Sequence, residues 1–151
     1  MAADFRALRS SSERIVAALL AGAVLLVFEI RFEHRQALGE TSWAWVPLVY
    51  GSALVALGLV ALARWERGGR RLAAVLFGAA VLVGAAGIWF HSAGHPLRGA
   101  FAMISAWRLP PGENGGIKIG AAPPLFAPGA FCGLGLIGLI ACLHDAERDV
   151  R

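Results

Sequence analysis

The sequence predicts an all-α protein, a transmembrane four-helix bundle with a long outer loop between its third and fourth helices. Three observations carry this. The chain is 58% hydrophobic and only 16% charged, with a mean hydropathy of +0.64, too apolar for an ordinary soluble domain. Its charges cluster between uncharged runs, and a run of about 18 apolar residues is long enough to cross a bilayer. Four such runs fit within the 151 residues, at about 15–32, 46–63, 72–90 and 125–143. They leave no room for a separate soluble domain, so the whole chain, 1–151, reads as one integral-membrane domain.

The first run follows a polar start carrying Arg6, Arg9 and Arg14. Ser10–Ser12, just before Glu13, offer an N-cap and a capping box for it. A basic start before an apolar core resembles a signal peptide. Here the core runs straight into Phe28-Glu29-Ile30-Arg31 with no small-residue cleavage site, which predicts an uncleaved span. The second run opens at Trp45-Val46-Pro47, and the third follows the basic turn at 64–71. Between the third and fourth lie 34 residues, His91–Pro124, long for a compact connection and so suited to a lid or partner surface. Within it, 97–107 has the composition of a short interfacial helix, ended by the turn residues Pro110-Pro111-Gly112. Pro123 and Pro124 open the fourth run, where proline is tolerated in a first turn. Pro128 is expected deeper inside, as a kink.

Each run carries small residues one turn apart: Ala18 and Gly22, Ser52 and Ala56, Ala80 and Gly84, Gly129 and Gly133. Such pairs let helix backbones approach closely in a membrane. Cys132 and Cys142 fall on one expected helix about 15 Å apart along its axis, so they cannot pair there and read as small packing residues.

The net charge of +4 and a pI near 10.0 do not point to nucleic acid, because the arginines flank apolar runs, where they set topology. With the N-terminus in the cytoplasm, the inner side holds nine of the 14 basic residues: Arg6, Arg9, Arg14, Arg64, Arg67, Arg70, Arg71, Arg148 and Arg151. The outer side holds five: Arg31, Arg35, Arg98, Arg108 and Lys118. The bias predicts both termini inside. Trp43, Trp45, Trp89 and Trp107 then gather at the outer boundary and Trp65 at the inner one, as interfacial belts require.

The residues suited to chemistry lie where the first and third runs leave the membrane on that outer side. Glu29 and Glu33 are spaced i,i+4 and share a helix face. Glu29 lies about a turn inside the boundary, where an ionised side chain costs on the order of a few kcal/mol unless paired, metal-bound or hydrated. His34 follows Glu33, and reaches the same point only from a frayed helix end. His91 and His95 repeat the i,i+4 spacing on the third run, provided it stays helical through Gly94. Carboxylates and imidazoles converging from two helices suit a transition metal: Fe, Zn, Cu or Mn. Glu40 and Glu113 could complete such a site from the loops, with Arg98 and Asn114 beside it. The di-iron Glu-x-x-His spacing is absent, and no standard metal motif is matched. The plain alternative pairs Glu29 and Glu33 with Arg31, Arg35 or Arg98 at headgroup level and leaves the histidines hydrated. A third reading has His34 and His91 ligating a b-type haem, with Arg31 or Arg98 on its propionates. His144, at the opposite membrane side, reads as structural.

Phe32-Glu33-His34-Arg35, Trp45-Val46-Pro47, Gly87 four residues before His91, Asn114 and Ala122-Pro123-Pro124-Leu125-Phe126-Ala127-Pro128 together resemble small four-span bacterial membrane proteins of uncharacterised function. The resemblance runs over nearly the whole chain. It implies the same topology in a bacterial inner membrane, and that the Glu/His and proline-rich residues belong together. It supplies no activity. The expectation is therefore an outward-facing metal pocket built from Glu29, Glu33, His34, His91 and His95, covered by the 91–124 loop. If it is catalytic, the chemistry is that of a metal-dependent oxidoreductase acting on a lipid-soluble substrate. Two other expectations compete: an accessory or anchor subunit of a larger membrane complex or homo-oligomer, and a haem or quinone electron carrier.

Overall fold

A computed structural model describes residues 10–107 and 128–148, and every regular element among them is helical. In chain order these are α1 (Ser11–Glu33), α2 (Ala37–Glu40), a 3-10 turn (Ser42–Ala44), α3 (Trp45–Ala63), a second 3-10 turn (Trp65–Arg67), α4 (Gly69–His91), α5 (Pro96–Trp107) and α6 (Gly129–Arg148). Three stretches are long and apolar enough to cross a membrane: Ser11–Glu33, Ser42–Ala63 and Gly69–His91. A shorter apolar stretch, Gly129–His144, makes the fourth wall. Residues 125–127, the expected start of the fourth span, lie outside the described residues.

α1 begins where its capping residues place it. The Ser10 hydroxyl accepts from the Glu13 N–H at 3.1 Å, and the Ser10 N–H donates to Glu13 Oε2 at 3.2 Å, which closes the capping box. α3 ends at Arg64, and Gly68, at φ 92°, reverses the chain into α4. The turn must be tight there: a Cβ on Gly69 would drive into the Ala61 carbonyl and the Arg64 backbone.

The helices form a ring in which α1 packs on α3, α3 on α4, α4 on α6 and α6 back on α1. Neighbours in sequence are thus neighbours in space, the up-down-up-down arrangement of a bundle. α1 and α4 run parallel across one diagonal, with their C-termini at the same end. Close approach is local. The α1–α3 seam sets Leu20 on Gly58 and Val27 on Gly51. The α4–α6 seam sets Phe77 on Gly138, Cys132 on Gly84 and Pro128 on Gly87. Across the second diagonal, Tyr50 of α3 and Phe131 of α6 meet edge to face at 5.7 Å. Tyr50 also donates its hydroxyl proton to the Leu76 carbonyl of α4.

Of the four small-residue pairs, only Ala80 and Gly84 face a seam. Ala18, Gly22, Ser52, Ala56 and Gly133 are exposed, and a Cβ on Gly22, Gly129 or Gly133 would meet nothing. Two further expectations change. Pro128 precedes α6 instead of kinking it, its carbonyl accepting the Phe131 N–H at 3.1 Å. Trp65, just beyond the end of α3, is packed into the core rather than standing out from it, 8% exposed and clustered with Val16, Leu20, Ala61 and Ala73. Trp43, Trp45 and Trp89, by contrast, stand out at 67%, 47% and 56% exposure around the end where α1 and α4 finish.

Candidate functional site at the end of helices α1 and α4

The two connections at this end are held by backbone hydrogen bonds, and they fix two histidines. His34 is the C-cap of α1. Its N–H donates to the Ile30 carbonyl at 2.9 Å, and its own carbonyl accepts the Leu38 N–H at 2.8 Å. α2 is then pinned to α3 by the Trp45 indole, which donates to the Leu38 carbonyl at 3.0 Å. His91 is the last residue of α4. The chain closes behind it with Ala93 donating to Phe90 at 3.1 Å and Gly94 donating to Trp89 at 2.9 Å. That bond pattern is a Schellman cap, with Ala93 and Gly94 at φ 50° and 81°. Trp89 also accepts from the Ser92 hydroxyl at 2.9 Å.

These caps bring the imidazoles of His34 and His91 together, ring centres 6.1 Å apart and planes inclined at 44°. Nδ1 of His34 is buried and has no hydrogen-bond partner. Beside them Trp43 and Phe90 pack ring to ring at 5.8 Å. Beneath them, Ile30, Ala80 and Phe131 form a small buried cluster with Leu26, Leu48 and Val83 packed against it. The pair therefore sits on an apolar floor with an aromatic contact alongside.

The other expected residues are placed differently. Glu29 and Glu33 do share a face of α1, but both are exposed. Glu33 lines an open hollow of about 380 Å³ with Phe32, Arg35 and Gln36, none of them a histidine. α4 stops at His91, so His95 is not on its face. His95 lies in the following turn, exposed, its N–H on the Ser92 carbonyl and its own carbonyl taking the Gly99 N–H at the start of α5. Glu40 and Arg98 are exposed, and Glu113 and Asn114 lie outside the described residues. Among the described residues, no three His, Cys, Asp or Glu side chains come close enough to hold one ion. What is assembled is an imidazole pair. The residues that sequence reasoning missed are Trp43 and Phe90, whose aromatic contact falls between segments too far apart in sequence for any spacing rule to link.

An imidazole pair at this separation has a defined chemical reach. Nitrogen binds a transition metal at about 2.0–2.1 Å, so two rings sharing one ion stand with centres roughly 5 Å apart at a tetrahedral angle and roughly 6.5 Å apart when directly opposed. The observed 6.1 Å matches near-opposed rings, and a tetrahedral ion would draw them about 1 Å closer. No protein-family model, curated protein or solved structure matches the chain.

Proposed function

We propose that this chain is an integral membrane protein whose helix bundle holds a divalent transition-metal ion between His34 and His91. The membrane part rests on apolar surface that the protein itself does not cover. Only 22% of the most apolar window of each long helix is buried, while Leu25, Val49, Val75 and Leu82 are 60–71% exposed. A helix apolar all round needs either a protein interior or a lipid one. With so little burial, lipid is the partner. The arginine bias puts the histidine end on the outer face of the membrane.

The observation that carries the metal is the buried, unpaired Nδ1 of His34 next to a second imidazole. A buried polar atom left without a partner costs about 1–3 kcal/mol, and a metal ion removes that cost. Iron, zinc, copper and manganese are the ions such a site would take, imidazole favouring the first three. Two protein ligands leave coordination positions for water, substrate or a loop donor, and in this sequence Glu40 and Glu113 are the loop carboxylates on offer. An open position distinguishes reactive metal centres from structural ones. A redox-active ion there would suit oxidation or reduction of a lipid-soluble substrate, which reaches the site from the membrane.

The test is elemental analysis of protein purified in detergent. Near-stoichiometric metal in the native chain, lost in His34→Ala and His91→Ala and kept in Glu29→Gln and Glu33→Gln, is the expected pattern. Metal-free native protein, or full loading of both histidine variants with unchanged helical content, would overturn it. The same two histidines could serve haem b, and the visible spectrum distinguishes the cases by the presence or absence of a Soret band.

A second reading, an accessory subunit of a larger membrane assembly, draws on one observation. The small-residue pairs of α1 and α3 face away from the bundle, where they would admit a neighbouring helix. Co-purification of other chains in mild detergent supports it; a monodisperse monomer carrying metal counts against it.

A further inference from the structure

Among the described residues, α5 is the one long helix that makes no extensive contact with another element of the bundle. It starts five residues beyond the end of α4, after the cap at Ala93 and Gly94 has turned the chain away from the helix axis. Leu97, Phe101 and Ile104 follow at i, i+4 and i+7, so they lie on one face within about 60° of arc. They are 75%, 69% and 49% exposed. Arg98 and Ser105, seven residues apart, share the flank roughly 90° away, and both are exposed. The helix contains no Asp or Glu. At the same end of the bundle, Trp43, Trp45, Trp89 and Phe90 project outward at 47–67% exposure. Aromatic side chains of this kind settle at the headgroup level of a bilayer.

We propose that α5 is a surface anchor lying flat in the headgroup layer beside the histidine end, with Leu97, Phe101 and Ile104 inserted among lipid chains and Arg98 and Ser105 toward water. The occupant of its apolar face is lipid: α5 begins one short turn after α4, at the end of the bundle where Trp43, Trp45, Trp89 and Phe90 stand exposed, and it carries no acidic residue. A helix with one apolar stripe, a polar flank and no acidic residue binds in the plane of the interface. This inference rests on the reading that the long helices cross a bilayer.

The experiment places a nitroxide label in turn at Leu97, Arg98, Phe101, Ile104 and Ser105, each changed to Cys in a Cys132→Ala, Cys142→Ala background. The full chain is reconstituted in phosphatidylcholine–phosphatidylglycerol vesicles. Collision rates with oxygen, enriched in lipid, and with a water-soluble nickel chelate are compared by electron paramagnetic resonance. A sixth label at Leu82, which is 71% exposed in the middle of α4, reports on the membrane span itself. The expected result is a several-fold higher oxygen-to-nickel ratio at 97, 101 and 104 than at 98 and 105, with Leu82 strongly oxygen-exposed. Uniform nickel access along α5 with Leu82 still in lipid would overturn the anchor and leave the span intact. Protection of 97, 101 and 104 from both reagents would also overturn it, since protein would then cover that face. Nickel access at Leu82 would overturn the membrane reading, and the anchor with it.

Discussion

Gly84→Ala is expected to loosen the seam between α4 and α6, although it adds one methyl group and raises helix propensity. A Cβ at this position would stand 2.6 Å from Cys132 Sγ, 2.7 Å from the Cys132 backbone nitrogen and 2.8 Å from the Pro128 carbonyl oxygen. Two of the three obstacles are backbone, so no side-chain rotation clears the space. Relieving them to ordinary contact, about 3.5 Å, requires α6 to retreat by roughly 0.7 Å at its first turn, and that gap forfeits a quarter to a half of each facing contact. Overpacking of this kind costs about 1–3 kcal/mol, and the helical gain of Ala over Gly, about 1 kcal/mol, offsets only part of it. Gly22→Ala is the matched control, because its Cβ meets nothing; there the helical gain stands alone and the variant should match or slightly exceed the native stability. Reversible unfolding in mixed detergent micelles, followed by circular dichroism, reads both. Equal stability of Gly84→Ala and Gly22→Ala would refute the seam packing. Rescue of Gly84→Ala by Cys132→Ala should be partial at most, since the two backbone obstacles remain.

If His34 and His91 hold an ion, adding it should raise the melting temperature of the native chain but not of His34→Ala, because only a folded state with both ligands binds; an identical shift in the two would refute the pair as the binding site. Ser10→Ala removes the accepted Glu13 N–H bond and should cost about 1 kcal/mol, read in the same unfolding assay; no change would mean that the start of α1 is held by packing alone. Tyr50→Phe removes the hydroxyl that α3 donates to the Leu76 carbonyl, and should cost about 0.5–1.5 kcal/mol without altering metal content; loss of metal would mean that the seam below the histidines controls the site.

The sequence displayed the helices and concealed how they turn. Expected runs at about 46–63 and 72–90 correspond to α3 at Trp45–Ala63 and α4 at Gly69–His91. The capping box at the start of α1 was legible as a choice among Ser10–Ser12 ahead of Glu13, because an N-cap is a local arrangement, and the structure selects Ser10. The facing of each helix was not. A stripe of polar residues tells a soluble helix which side is out, and these helices have none. Small-residue pairs were the only remaining clue, and those on α1 and α3 point away from the bundle. Likewise Trp65, expected at a boundary, is folded under the bundle by the 3-10 turn at Trp65–Arg67 and the reversal at Gly68. At the site, the nearness of His34 and His91 followed from simple threading of the spans. The place of His95 did not: the helix would have had to continue past Ala93 and Gly94, and left-handed conformations at both residues end it.

The geometry also separates the two pairs of residues that the sequence had joined. Glu29 and Glu33 occupy the outward face of α1, while His34, at its C-cap, turns a ring nitrogen inward. Adjacent residues on a helix point about 100° apart, so Glu33 and His34 cannot both serve the same interior point while α1 stays helical to its cap. The ring of packed helices then decides which inward group finds a partner. α1 and α4 lie across a diagonal and share no extensive seam, and at the depth of Phe131 the space between the walls is filled by side chains. Above that depth the walls end, and the first side chains that can meet across the gap are those on the two terminal residues, His34 and His91. The carboxylates of Glu29 and Glu33, by contrast, are exposed on the outward face of α1. If the protein holds a metal as proposed, His34 and His91 are the pair of nitrogen ligands that the fold brings together, and the outward-facing glutamates are not part of that pair.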